Sequence, residues 1–289
     1  MTDDPFITHR SLLFTVAYEM LGSASDAEDV VQDTWLRWAG VDHAVVRDPR
    51  AYLVRIVTRQ ALNRLRTLAR RREDYIGEWL PEPLGTSPDL AADVELAESV
   101  SMAMLTVLET LGPPERAVFV LREVFDTPYD EIADAVGKSP TAVRQIAHRA
   151  RQHVAARRPR VPVSATEHQE ALDRFLAALQ DGDLQGLLDV LAPDVVVVAD
   201  GGGVVPAARR PVQGAERVAG LILRGLRSVA FEAIPVWVNG SPAIRIDAGP
   251  AFNAAVSVAV ERSRISRIYI VANPHKLAHL DVVSALTRS

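Results

Sequence analysis

Cysteine is absent from the 289 residues, which excludes a disulfide framework, a thiolate metal site and a cysteine nucleophile together. Histidine is sparse, with seven in the chain, and no two are spaced as a metal-binding pair on one helix. No run approaches the ~20 uncharged apolar residues that cross a bilayer. The opening residues 1–5, with Asp3 and Asp4, lack the basic-then-apolar order of a signal peptide, so a cytoplasmic location without a membrane partner is expected. What remains, 48% hydrophobic and 24% charged, suits a globular chain of about two domains and more than one core.

Positive charge is also scarce overall, the net charge being −5, which argues against a uniformly basic nucleic-acid binder. Its distribution is uneven. Residues 47–72 carry +8, residues 73–134 carry −13 and residues 138–160 carry +7. Two basic blocks flank an acidic one, and each needs a geometric test, because like-charge runs are commonly solvated faces.

The first 158 residues read as helices almost throughout. Leu13, Val16, Ala17 and Met20 share a face of a helix over 6–21 that stops at Gly22. Ser25 and Glu28 form a capping-box pattern before a helix that turns Ala27, Val30, Val31, Thr34 and Trp38 inward. Asp48 and Pro49 open a helix to about Arg72. Residues 79–88, with four Pro or Gly in ten, form a linker. A helix over 90–111 ends at Gly112-Pro113-Pro114, and three short helices follow. After Pro159 and Pro162 the pattern changes. Thr166 and Gln169 cap one helix, 183–191 forms a second, and apolar runs at 195–199, 229–238, 243–247, 254–260 and 265–272 read as strands of a half-buried antiparallel sheet, interrupted by a helix over 215–226. This part is an α+β domain of roughly 125 residues.

On a wheel of 100° per residue, Tyr52, Arg55, Arg59, Asn63, Arg66 and Arg70 fall within about 80° of arc, opposite Leu53, Ile56, Val57, Ala61, Leu65 and Leu68. An arginine stripe with an aromatic and an amide suits phosphates in a line and bases stacked on planar groups; the competing reading is an exposed face without a ligand. Arg64 falls in the apolar arc, where the wheel gives it no task. The second basic block is more specific. Ala133, Gly137 and Val143 supply the small residue at a helix crossing, the left-handed turn and the β-branched anchor of a helix-turn-helix, with Thr127-Pro128 and Ser139-Pro140 starting its helices. In the second of these, Val143, Ile146, Ala147, Ala150 and Val154 face inward, while Thr141, Arg144, Gln145, His148, Arg149 and Gln152 are left for the major groove, where Arg and Gln read guanine and adenine edges. A plain helical hairpin with a solvated face is the alternative.

Taken together, Ser25-Asp-Ala-Glu-Asp-Val-Val-Gln-Asp-Thr-Trp-Leu-Arg-Trp38, the segment from Pro49 to Arg66, and the segment from Leu111 to Val124 with the helix-turn-helix after it resemble group IV (extracytoplasmic-function) sigma factors, promoter-specificity subunits of bacterial RNA polymerase. The resemblance implies that Asp26, Asp29, Gln32 and Asp33 dock on the polymerase clamp helices. It also implies that the Arg-rich helix recognises and melts the −10 element and that the helix-turn-helix reads the −35 element. Asn63 stands where many members carry Asp. The remainder is similar to a subgroup with a SnoaL-like extension, a cone of the nuclear transport factor 2 type. Three signatures carry this: Trp79-Leu80-Pro81-Glu82-Pro83, Asp200-Gly201-Gly202-Gly203 and Asn273-Pro274-His275-Lys276-Leu277. Val204 and His275 depart from the subgroup's Lys and Asp.

The expected architecture is therefore multidomain: an all-α region 2 bundle over 1–75, a linker over 76–95, an all-α region 4 over 96–158 and the α+β cone over 165–289. In the subgroup the extension regulates the sigma domains of its own chain, so no separate anti-sigma protein is expected, and an unidentified small ligand in the cone is an open option. No cofactor or metal is implied. Asp200, Asp247 and His275 are the catalytic candidates, but spacing brings none of them together and fold alone implies no activity. The glycine triplet reads as a tight turn more readily than as an anion loop, since no helix follows it. A helix-turn-helix regulator with a ligand-binding or enzymatic domain is the other reading; it leaves residues 25–72 without a task.

Overall fold

The computed structural model describes residues 4–72, 75–157, 163–226, 230–249 and 252–288, without the side chains of 69–72 and 226. Helices α1 (Pro5–Leu21), α2 (Ala24–Ala39) and α3 (Pro49–Arg72) form a bundle around Leu12, Leu13, Val16, Trp38, Leu53 and Val57. Gly22, at φ +66°, ends α1 as its composition requires. The cap of α2 lies earlier than the Ser25–Glu28 pattern suggests: Ser23 accepts from the amide of Asp26, because Gly22 hands the chain directly to an extended Ser23. Asp48 accepts from the amide of Ala51 and opens α3 as expected.

The helix expected over 90–111 is broken. A 3-10 turn over Pro88–Ala92 leads into α4 (Val94–Ser99) and α5 (Met102–Leu108), because Asp93 and Ser101 each bind an amide three residues ahead and restart the chain. Helix α6 (Pro113–Phe119) continues as a single π turn to Val124, followed by α7 (Tyr129–Val136) and α8 (Pro140–Ala155). Thr127 is buried and caps nothing; Pro128 is the N-cap of α7. One continuous apolar core runs from α1 through α8, so the two helical modules pack on each other rather than standing apart.

In the C-terminal part, Ser164 and Glu167 form the capping box of α9 (Ala165–Asp181), in place of Thr166 and Gln169. Helices α10 (Leu184–Val190) and α11 (Ala215–Leu226) lie with α9 against a six-stranded sheet of order β2-β1-β6-β5-β4-β3. The strands are β1 (Leu191–Asp200), β2 (Val212–Gln213), β3 (Glu232–Val238), β4 (Ser241–Asp247), β5 (Asn253–Glu261) and β6 (Arg264–Val271). The antiparallel expectation fails at one pair, since β1 and β6 run parallel. The half-buried expectation fails at β5, which is buried on both faces. One face packs on Phe175, Leu179, Leu187 and Val218; the other, through Val198, Ala259, Tyr269 and Val271, packs on Leu80 and Met102. The cone thus covers the linker and α5 with its outer face. No helix among the described residues is long and apolar enough to cross a membrane, and no cluster of metal-ligating side chains occurs among them.

Candidate nucleic-acid interface and linker clamp

Helix α8 presents Thr141, Arg144, Gln145, His148, Arg149 and Gln152 to solvent and buries Val143, Ile146, Ala147, Ala150 and Val154. The turn before it has the expected geometry: Gly137 at φ +68° and its following amide both close on Ala133. The Arg144 guanidinium lies 5.5 Å from the Tyr129 ring centroid, and Arg149 reaches to 3.8 Å from Glu115. These side chains form a polar, cationic row on a helix of major-groove length.

The stripe on α3 is only partly free. Arg55 stacks over Tyr52 at 5.1 Å, and Tyr52 leans on Trp38. Asn63 and Arg66 are exposed and bonded to each other at 3.2 Å; the Arg70 side chain lies outside the described residues. Arg59 is engaged elsewhere. Its guanidinium donates to the carbonyls of Asp134 at 2.6 Å and Ala135 at 3.4 Å, in the last turn of α7. Carbonyls there lack intrahelical partners and carry the negative end of the helix dipole. One module's arginine stripe therefore caps a helix of the other.

Asp29, Gln32 and Asp33 are exposed on α2, as are Trp35 and Leu36, while Asp26 is half-buried against Arg64 of α3. The amino end of α2 is closed by a carboxylate from far away: Glu82 accepts from Ser23 Oγ at 2.8 Å, the Ala24 amide at 2.7 Å and the Ser25 amide at 3.2 Å. An acid at this end of a helix satisfies free amides and the dipole together. Glu82 also exchanges backbone bonds with α1, donating to Gly22 O at 2.9 Å and accepting from the Tyr18 hydroxyl at 2.6 Å.

The other side of the same linker is held by the cone. Asp200, fully buried at the end of β1, accepts on one oxygen from the Tyr75 hydroxyl at 2.6 Å and the Gly202 amide at 3.0 Å, and on the other from the Leu80 amide at 2.9 Å and Lys276 Nζ at 2.8 Å. Lys276, 6% exposed, also donates to Leu80 O at 2.6 Å and sits 3.9 Å from the Trp79 ring centroid. Asn273 donates to the Tyr75 hydroxyl at 3.0 Å and caps the turn carrying Lys276. Burial and the Asp200 carboxylate push the Tyr75 phenol well above its ordinary range. Residues 80–86 run buried between cone and α1, and Leu84 and Gly85 bond to Asn239 and to the C-terminal tail, whose Thr287 amide reaches Thr15 on α1 at 3.0 Å.

The three linker-and-cone signatures thus meet at one place. Gly201–Gly203 make the tight turn beside it: a Cβ on Gly202 would fall 2.3 Å from Asn273, and the amides of Gly202, Val204 and Val205 are all bonded internally. Pro274 and His275 are exposed, while Leu277 packs on Leu80 and Tyr269. Of the catalytic candidates, Asp200 is consumed by the clamp and Asp247 accepts from the Gly249 amide at the sheet's end. Sequence reasoning missed Tyr75 and Asn239; the positive φ of Asn239, ahead of Gly240, has a sequence trace in the Asn-Gly pair. It also missed the buried Arg116, which donates to the Glu19 backbone carbonyl at 3.0 Å and pairs with the Glu109 carboxylate.

The Sigma-70 region 2 family matches residues 6–71, and the Sigma-70 region 4 family matches residues 101–154. The ECF RNA polymerase sigma factor SigJ of Mycobacterium tuberculosis is 42% identical over 218 residues, 74% of this chain and 70% of SigJ. The chain belongs to the extracytoplasmic-function (ECF) sigma factors. Another M. tuberculosis relative, the probable ECF sigma factor SigI, is 34% identical over 273 residues, 93% of this chain and 92% of SigI. The crystal structure of SigJ superposes with a TM-score of 0.78 at 34% identity, covering 96% of this sigma factor and 98% of SigJ. Both helical modules and the α+β cone of this sigma factor are therefore shared with SigJ. Sigma factors are not an enzyme class.

Proposed function

We propose that this sigma factor directs core RNA polymerase to specific promoters, docking through Asp26, Asp29, Gln32 and Asp33 on α2. In this reading Tyr52, Arg55, Arg59, Asn63, Arg66 and Arg70 melt the downstream element, and Thr141, Arg144, Gln145, His148, Arg149 and Gln152 read the upstream one. The modules divide as 1–75, 76–95, 96–158 and 165–289. The cone regulates the sigma modules in cis rather than catalysing, with no separate anti-sigma protein.

One observation carries the regulatory reading. The linker is gripped from both sides, by Asp200 and Lys276 of the cone at Leu80 and by α2 at Glu82. In this arrangement Arg59 is bonded to α7, so the two promoter-reading helices cannot take up independent positions on DNA. Loosening the grip shifts the population toward separated modules. Trp79 is the mildest lever, lying between Lys276 and the end of α1, where a Cβ on Gly22 would approach it to 3.0 Å. Promoter-dependent run-off transcription with purified core tests this. Trp79→Ala is expected to raise output several-fold at matched core occupancy, and equal output from both proteins would leave the cone an inert appendage.

A further inference from the structure

Arg64 lies mid-helix on the side of α3 that the helical wheel assigns to the core, and its partners explain it. Helix α3 packs beside α2, and the Arg64 guanidinium forks onto two acids one turn apart. Its Nε donates to Asp26 Oδ1 at 2.6 Å and its Nη2 to Asp29 Oδ2 at 3.1 Å. The Asp26 side chain is 15% exposed, Arg64 36% and Asp29 62%. The pair with Asp29, exposed on both sides, contributes little to stability, while the pair with Asp26 is partly buried. What the fork changes is the charge that α2 offers to a partner.

From this we infer that Arg64 is the built-in counter-ion of the polymerase-docking face, occupying Asp26 and Asp29 in the free protein and competing there with the cations of core. The inference rests on the docking role proposed for α2. The planar fork of the guanidinium matches both carboxylates, so the neutralisation holds until a partner cation replaces it. With Arg64 seated, the acids of this face that keep their full field are reduced to Asp33 and the outer oxygen of Asp29. A generic basic surface then gains little by approaching, whereas a partner that places cations at both positions displaces Arg64 and recovers both carboxylates. Arg64 is thus a specificity-determining residue for core, acting mainly on the association rate, where long-range charge has its largest effect.

The direction of the effect separates this role from a structural one, because loss of Arg64 strengthens docking. With full-length protein and purified core, Arg64→Gln is expected to raise the association rate at low salt by roughly threefold to tenfold and to steepen its salt dependence. In an Asp26→Asn/Asp29→Asn background, where no carboxylate is left to release, the same substitution gives a smaller increase. Arg64→Met, which keeps the aliphatic stem, gives the same increase if the Gln variant folds poorly. An association rate that stays constant or falls in a variant with the parental unfolding midpoint overturns the inference. Charge reversal at Asp29 and Asp33 serves as the reference. If it weakens core binding while Arg64→Gln changes nothing, only the counter-ion role fails; if it leaves core binding intact, the docking face itself is wrong.

Discussion

Replacing Asp200 by Asn removes the charge at the centre of the linker clamp while conserving its shape. The carboxylate has four donors, from Tyr75, Gly202, Leu80 and Lys276. An amide has one acceptor, so in either orientation its NH2 faces two donors. Breaking a buried ion pair by removing one partner costs about 3–5 kcal/mol, much of it from the charge left behind. Lys276 keeps Leu80 O and the Trp79 face, which places the expected loss near the lower end, about 3 kcal/mol. Lys276→Met is milder, because Asp200 retains three donors. In the Asp200→Asn/Lys276→Met double variant the stranded ammonium is gone, and what remains is imperfect satisfaction of the Leu80 amide and the Tyr75 hydroxyl, about 1–3 kcal/mol. The two substitutions therefore couple by about 2 kcal/mol, well beyond the ~0.5 kcal/mol scatter of independent sites. Urea unfolding followed by tryptophan fluorescence measures all four corners of the cycle, with Trp79 against the ammonium as a local reporter. Additive losses, or a double variant less stable than either single one, would refute the clamp as an energetic unit.

Three further outcomes are expected. Charge reversal at Asp29 and Asp33 weakens core association in a binding titration while leaving the thermal midpoint nearly unchanged, since both lie off the apolar face of α2. Arg144→Ala or Gln145→Ala costs roughly 1–3 kcal/mol at particular bases of the upstream element, read by band shift on single-base promoter variants; uniform weakening on all sequences argues against base reading. Glu19, whose pKa burial pushes up from 4.5 to about 8, holds a proton in the folded state that the unfolded chain releases, so stability falls as pH rises between those values. Glu19→Gln should flatten that slope in urea midpoints taken from pH 5 to 8.5.

How much of this was legible depended on the range of the interactions. The helix-turn-helix was readable because its determinants, Ala133, Gly137 and Val143, act within ten residues, and α3 because Asp48 and Pro49 open it locally. The helix over 90–111 misled because apolar spacing ignores the side-chain bonds by which Asp93 and Ser101 interrupt a helix. The cap of α2 was misplaced because Glu82, 59 residues from Ser23, supplies part of it. Arg64 looked wrong on its own wheel because its partners sit on another helix. The signatures around Trp79, Asp200 and Asn273 were visible as strings, but the parallel β1–β6 pairing that sets Asp200 beside the turn carrying Lys276 is a long-range contact with no local mark. Arg59 shows the opposite limit, since its wheel position was right and its bond to α7 was invisible.

The order in which the clamp is assembled has a consequence during translation. Leu80 is bonded to Asp200, 120 residues later, and to Lys276, 196 residues later. At roughly 5–20 residues per second, a ribosome needs about 10–40 seconds to travel from the first to the last of these. From about residue 155, where α8 ends, until Lys276 is made, both helical modules have been synthesised and the grip on the linker has not. Each nascent chain therefore passes through a period in which its linker is not yet held by the cone, and a ribosome paused within the cone prolongs it. Translation speed over residues 165–276 then sets how long the helical modules exist beside their own message without the clamp.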